Sequence, residues 1–198
     1  MGDPRKHRRK YSTPGHPWQK ERIDRENKLS EDYGLKNKKE LWRHDSMLKQ
    51  FKTQAKDLIS RDDKQAEIEQ KLFLQRLEKL NLLPADSKLE KVLELKLENI
   101  LDRRLQTMLV KKGLARTYTQ ARQFVVHGHI TINGNVVDVP SYLLNAAEES
   151  AIQFDSKSPL SDTEHPERQL KTKGLKPKEE EKEEEKEEAK EEKMETKE

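Results

Sequence analysis

The chain has 198 residues, of which 31% are hydrophobic, 5% aromatic and 40% charged. Globular averages lie at roughly 45–50% apolar and about 25% charged, so the chain cannot bury a core along its whole length, and extended or partner-ordered parts are expected. There is no cysteine, which excludes a disulfide framework and thiolate metal ligation. There is also no apolar run of the ~18 residues that would suggest a transmembrane helix, and the charged start lacks the apolar region of a standard signal peptide. Together these features point to a reducing cytosol.

The net charge of +3 conceals strong polarity along the chain. Residues 1–52 carry fifteen Lys/Arg against eight acids, whereas the segment from Leu175 onward carries seven Lys and twelve Glu. Basic charge concentrated in one part of a chain is the electrostatic footprint of a nucleic-acid partner. Residues 1–18 read as an extended basic arm, because Pro4, Pro14, Gly15 and Pro17 interrupt any helix. Arg5, Lys6, Arg8, Arg9 and Lys10 offer phosphate contacts there, and His7, Tyr11, His16 and Trp18 offer stacking faces for unpaired bases.

Residues 19–99 read as a helical subdomain. A short charged helix is expected from Gln19 to Leu29. Asn37-Lys38-Lys39-Glu40 reads as a capping box opening a helix with Leu41, Leu48, Phe51, Ala55, Leu58 and Ile59 on one stripe. A further helix from Asp62 or Asp63 to Asn81 carries Ile68, Leu72, Leu77 and Leu80, and should pair with its predecessor as an antiparallel hairpin. Ser87-Lys88-Leu89-Glu90 reads as another capping box. After it a short helix, an interruption and a longer helix are expected.

Residues 100–155 have the most sharply marked boundaries. Leu101, Leu105, Met108 and Leu109 recur at helical spacing up to Gly113, which suits a left-handed helix end. Thr117 and Gln120 form a capping box for a second helix that buries Ala121, Phe124 and Val125 and stops at Gly128. Two alternating runs, His129–Ile132 and Asn135–Val139, flank Asn133-Gly134, the strongest short hairpin signal. Ala151–Phe154 is apolar enough to add a strand beside them. Within it, Ile100–Tyr142 holds six Arg/Lys (Arg103, Arg104, Lys111, Lys112, Arg116, Arg122) against Asp102 and Asp138. Thr117 and the arginines around it form a phosphate seat at a helix N-terminus. Residues 156–175 read as a polar loop, and 176–198 as a Glu/Lys-rich tail, disordered or a lone solvated helix held by i,i+4 pairs. The fold class expected is α+β.

The landmarks Arg103-Arg104-Leu105, Lys112-Gly113-Leu114-Ala115, Thr117, Ala121-Arg122-Gln123, His127-Gly128-His129-Ile130, Ile132-Asn133-Gly134, Val136-Val137 and Val139-Pro140-Ser141-Tyr142 resemble the S-four RNA-binding module. The form is that of the small-subunit ribosomal protein four family in its archaeal and eukaryotic branch. That family commonly has Asp where Gln106 stands and Arg where Tyr118 follows Thr117; here the charge sits one residue earlier, at Arg116.

The resemblance implies an RNA-binding face that includes Arg103, Arg104, Gln106, Lys112, Arg116, Thr117, Tyr118, Arg122, Gln123, His127, His129 and Asn133. It also implies a structural role in the small ribosomal subunit in the cytoplasm, with direct binding to a helix junction in the 5′ domain of small-subunit rRNA. Nucleation of assembly and an influence on decoding accuracy follow, as does a place near the mRNA entry side in contact with ribosomal protein five. A pre-rRNA processing relative and a free-standing RNA-binding factor carrying the same module are the alternatives. No enzyme is expected: there is no phosphate-cradling glycine loop, and His127 and His129 lack further metal ligands nearby. No cofactor, metal or membrane partner is implied.

Overall fold

The computed structural model describes residues 9–61, 63–84, 87–162 and 165–167. Arg5, Lys6, His7 and Arg8 of the arm, residues 168–175 of the expected loop, and the tail 176–198 lie outside the described residues.

Helix α1 (Lys20–Asp32) runs three residues past its expected end. The stop is set by Gly34, at φ +57°, whose left-handed conformation lets Leu35 N–H donate to Ser30 O at 2.9 Å. Helix α2 (Lys38–Ile59) buries Leu41, His44, Leu48, Phe51, Ala55 and Leu58, an unbroken three-and-four spacing in which His44 takes a place that apolar counting passed over. Ile59 falls off this stripe and is 46% exposed. Helix α3 (Lys64–Lys79) packs back against α2 through Phe73 and Leu77, and also buries Ala66. The expected stripe is corrected here, since Ile68 and Leu72 face outward. Gln70 fills the fourth place on the inner face, its amide donating to Leu58 O at 3.1 Å at the end of α2. Rings of Phe51 and Phe73 stand 6.2 Å apart, and the Arg76 guanidinium lies over Phe51.

Two expected capping boxes do not form. Asn37 is extended at the start of α2, but its side chain makes no cap bond, and Glu40 turns elsewhere. Ser87 Oγ donates back to Pro84 O at 2.7 Å, so the short helix α4 (Glu90–Glu94) starts only after Leu89.

The expected long helix before Gly113 is two helices, α5 (Leu97–Asp102) and α6 (Leu105–Lys111). Arg104 between them is extended and bridges Leu143; Leu105 N–H donates to Tyr142 O at 2.8 Å and Leu144 N–H to Arg103 O at 3.0 Å. A returning strand-like segment, distant in sequence, has taken these backbone groups. Helix α7 (Tyr118–Val126) leads into strands β1 (Ile130–Ile132) and β2 (Asn135–Val136), then α8 (Ala146–Glu149), β3 (Ile152–Phe154) and a 3₁₀ turn (Pro159–Ser161). The sheet order is β2-β1-β3 with antiparallel pairs, Ile130 facing Phe154 and Ile132 facing Ile152. Asn133 and Gly134 both take positive φ, as the hairpin signal required.

Three apolar clusters hold these elements. One joins α6, α7 and the sheet, with Leu105, Leu109, Phe124, Val125 and Ile130 at its centre. A second joins α2, α3 and α4 and includes Ile100 of α5. A small third cluster of Leu35, Leu41 and Leu101 uses the next residue of the same helix. Consecutive residues of α5 therefore serve different cores.

Gly34 is where the α1–α2 connection meets α7. A Cβ there would stand 2.6 Å from Tyr118 Cβ, on a backbone that L-residues disfavour. Gly34→Ala is expected to lower stability by more than about 2 kcal/mol in urea unfolding. Gly15→Ala, whose added Cβ meets nothing within 4 Å, should lie within about 0.5 kcal/mol of the parent.

Candidate nucleic-acid interface

The cations singled out in the sequence fall into two groups, those that hold the fold together and those that face solvent. Arg104 is fully buried, and its Nη2 donates to Glu40 Oε2 of α2 at 2.7 Å. The same carboxylate takes Arg122 of α7, with Nη2 at 2.8 Å from Oε1 and Nη1 at 3.3 Å from Oε2. Burial alone would raise the Glu40 carboxyl. The hydrogen bonds and charges of Arg122 and Arg104 outweigh it and hold the carboxyl below its usual range. Arg104 is therefore corrected from the expected surface to the interior. Arg122 remains partly exposed, tied to Glu40.

His44 lies one turn along α2, and neither of its ring nitrogens has a hydrogen-bond partner among the described residues. Burial first, then the charges of Arg104 and Arg43 against the opposing pull of Glu40, bring its pKa down to about 4.

Gln106 is likewise corrected from the surface: it is fully buried, and its amide donates to Gly34 O at 3.1 Å and Tyr118 O at 2.8 Å. An amide supplies two donors for two carbonyls, which a carboxylate at this position could not do. Tyr118 packs 6.2 Å from Tyr33, whose hydroxyl donates to Asp102 Oδ1 at 3.1 Å. Burial, then the Asp102 charge, raises both phenols. Arg103 is mostly buried, and both of its terminal nitrogens lie 3.0 Å from Glu149 Oε2. Lys111 pairs with Asp102 at 3.1 Å.

The remaining residues lie at or near the surface. Lys112, Thr117, Gln123, His127 and Asn133 are exposed, and Arg116, Tyr118 and His129 are half-buried. Lys112 Nζ donates to the carbonyl of Glu149, and Arg116 Nη2 to Pro166 O at 2.7 Å. Thr117 Oγ1 accepts from Gln120 N at 3.2 Å, the expected half of the capping box. The other half shifts by one residue, because Gln120 Oε1 accepts from Arg116 N at 2.8 Å. That bond positions Arg116 beside the first turn of α7. His129 Nδ1 lies 2.9 Å from Ser158 Oγ, with the exposed His127 ring 6.1 Å away. Among the described residues, no three His, Cys, Asp or Glu side chains stand close enough to share a metal ion. No described helix is long and apolar enough to cross a membrane.

The described part of the basic arm is docked rather than loose. Tyr11 packs 6.3 Å from Trp42, and Ser12 N–H donates to Ser46 Oγ at 2.9 Å. Arg22 Nη2 gathers the carbonyls of His16 and Pro17. Its Nη1 meets the buried Glu26 at 2.7 Å, and Glu26 also accepts from Trp42 Nε1 at 3.1 Å. Arg9 and Lys10 stay exposed. The arrangement offers cations, hydroxyls, amides and a helix N-terminus on a fixed frame, which suits phosphate and 2′-hydroxyl contacts on folded RNA.

Sequence reading missed Glu40, Glu149, Glu26 and His44 as organising groups. Glu40 lies 64 and 82 residues from its two arginines, so no local spacing links them.

The S4 domain family model matches residues 103–150. The small ribosomal subunit protein uS4 of Thermoplasma acidophilum is 48% identical over 172 residues, covering 85% of this chain and 86% of that protein. Its counterpart in Nanoarchaeum equitans is 48% identical over 168 residues, 84% of this chain and 93% of the relative. That of Picrophilus torridus is 46% identical over 184 residues, 91% of this chain and all of the relative.

Two outcomes follow from the Glu40 cluster. Glu40→Ala leaves the buried Arg104 charge without its carboxylate, and should cost roughly 3–5 kcal/mol in urea unfolding at neutral pH. His44→Leu tests the histidine. In the parent, neutral His44 has a folded pKa of about 4 against 6.5 unfolded, so its share of stability is complete above pH 6.5 and is lost as pH falls toward 4. The variant should gain up to roughly 3 kcal/mol on the parent across that window. Parallel pH profiles for the two proteins would exclude this.

Proposed function

The chain belongs to the small ribosomal subunit protein uS4 family, and from that premise we propose that it is a structural, non-catalytic constituent of the small ribosomal subunit that binds small-subunit rRNA directly. The observation that carries this reading is the extent of the likeness. Identity of 46–48% runs over 84–91% of the chain, well beyond the S4 domain at residues 103–150. A free-standing S4 factor would share the domain and little else.

The contact proposed is shape readout. A-form RNA hides base edges in a deep groove, so a rigid face reads the spacing of phosphates and 2′-hydroxyls. Lys112, Arg116 and partly exposed Arg122 meet phosphates. Thr117, Gln123, His127, His129 and Asn133 set position, and Arg9 and Lys10 extend the contact from the docked arm. The target is a helix junction in the 5′ domain of small-subunit rRNA, where binding nucleates assembly. In the finished subunit the protein neighbours ribosomal protein five near the mRNA entry side and influences decoding accuracy. The compartment is the cytoplasm.

Sucrose-gradient sedimentation of a native lysate tests the assignment. Near one copy per mature small subunit, resisting moderate salt, is expected. Presence in precursor particles alone would replace it with a processing role, and a purely soluble protein would leave a free factor. For the contact itself, Lys112→Ala should weaken binding to the transcribed 5′ domain and flatten the dependence of log K on log salt by about one unit. An unchanged slope removes Lys112 from the interface. Arg122→Ala is the poorer probe, because it also dismantles the Glu40 pair.

A further inference from the structure

The docked arm leaves one large aromatic side chain uncovered. Trp18 is 84% exposed, the most exposed large hydrophobic residue described. Single exposed apolar residues are ordinary on protein surfaces. Trp18 differs because the backbone on either side of it is held. The carbonyls of His16 and Pro17 both accept from Arg22 Nη2, at 2.9 and 2.8 Å. Directly after Trp18, Gln19 begins α1 as its N-cap, and its carbonyl accepts from Ile23 N. Arg22 is itself anchored on Glu26, which the Trp42 indole N–H also holds. The two tryptophans thus share one hub, with opposite outcomes: Trp42 is drawn into the frame beside Tyr11, while Trp18 is left projecting.

We propose that Trp18 is a preformed stacking platform for one unpaired base of the RNA, with Arg22 and Glu26 as the residues that position it. This rests on the RNA-binding reading above. The surroundings favour a nucleic acid over a protein pocket. Between Arg9 and Arg25 stand five Lys/Arg against Glu21 and Asp24, so an anionic strand is drawn to the segment. An indole face then supplies the sequence-tolerant contact that such strands use. Because the backbone around Trp18 is already ordered, little conformational freedom remains to be lost on binding. Of the aromatic faces read from the sequence in this segment, Tyr11 is withdrawn by its packing on Trp42, whereas His16 and Trp18 stay exposed, and Trp18 presents the larger ring.

The test uses the full-length protein labelled with 5-fluorotryptophan, whose two ¹⁹F resonances are assigned with Trp18→Phe, and the transcribed 5′ domain of an archaeal small-subunit rRNA. Binding should shift the Trp18 resonance and leave that of Trp42 in place. Trp18→Ala should bind about tenfold more weakly and Trp18→Phe close to the parent. The salt slope of Trp18→Ala should stay unchanged, since stacking displaces no counterion. Weaker binding with a flattened slope would mean that the substitution had merely released the cations of the arm, and would overturn the proposal. So would unchanged affinity and an unmoved Trp18 resonance in a bound complex, although RNA binding itself would stand. A resonance that moves only in assembled subunits would assign Trp18 to a protein neighbour instead. Failure of the parent protein to bind the RNA at all would remove the RNA-binding reading, and this proposal with it.

Discussion

The Glu40 carboxylate, shared between Arg104 and Arg122, is the interaction on which the architecture turns. Arg104 has no access to water, and an unpaired guanidinium in that position would carry a desolvation cost of several kcal/mol. A buried pair of this kind contributes little net stability compared with well-packed apolar groups. Its consequence is registration. The carboxylate is on α2, one guanidinium precedes α6 and the other is on α7, so the charges are satisfied only when the helical region and the S4 unit meet in one orientation. Gln106 adds a second pin nearby, clasping the α1–α2 turn and the start of α7 with its two amide hydrogens.

That constraint explains why the basic residues of the module overstate its interface. Among the described residues, at least four of the six, Arg103, Arg104, Lys111 and Arg122, hold carboxylates of this same chain. A bare count of charge assigns them all to RNA, whereas the geometry spends most of them on fixing helices. What remains for an external partner is a smaller set of cations, with neutral donors and acceptors between them. Such a surface relies on the placement of its groups more than on charge density. Placement is what discriminates a folded RNA junction from other polyanions, because phosphate attraction alone carries no sequence or shape information.

The parts of the fold that were legible in the sequence are those whose cause is local. Gly113, Gly128 and Asn133-Gly134 do what their backbone preferences demand, and the Thr117 cap forms within one turn. The α2 stripe was legible at Leu41, Leu48, Phe51, Ala55 and Leu58, which keep helical spacing, but not at His44, whose polar ring apolar counting passes over. Legibility fails where a remote group competes for a local one. Residues 142–144 take the backbone of Arg103 to Leu105 and split a helix that its own pattern would continue. Glu40 abandons an N-terminal box for two arginines. On α3, Ile68 and Leu72 face outward while Gln70 keeps the phase of the buried Ala66, Phe73 and Leu77 and donates to a carbonyl at the end of α2. In the candidate site the same rule separates Lys112 and Thr117, placed on the surface as read, from Arg104 and Gln106, which the fold had already used.

The two ends of the described chain show one physical strategy. At the arm, Glu26 fixes Arg22, and Arg22 fixes the carbonyls that flank Trp18. In the module, Gln120 fixes the backbone of Arg116 at the head of α7, and Glu149 accepts both Arg103 and Lys112. In each case an internal hydrogen bond or ion pair removes conformational freedom from a group nearer the surface. A long cation left free would lose that entropy on binding. The intramolecular carboxylates lower the total positive charge and so reduce the attraction felt at a distance. They also fix the spacing of the exposed groups, and a rigid spacing is what can match one arrangement of phosphates and fail to match others.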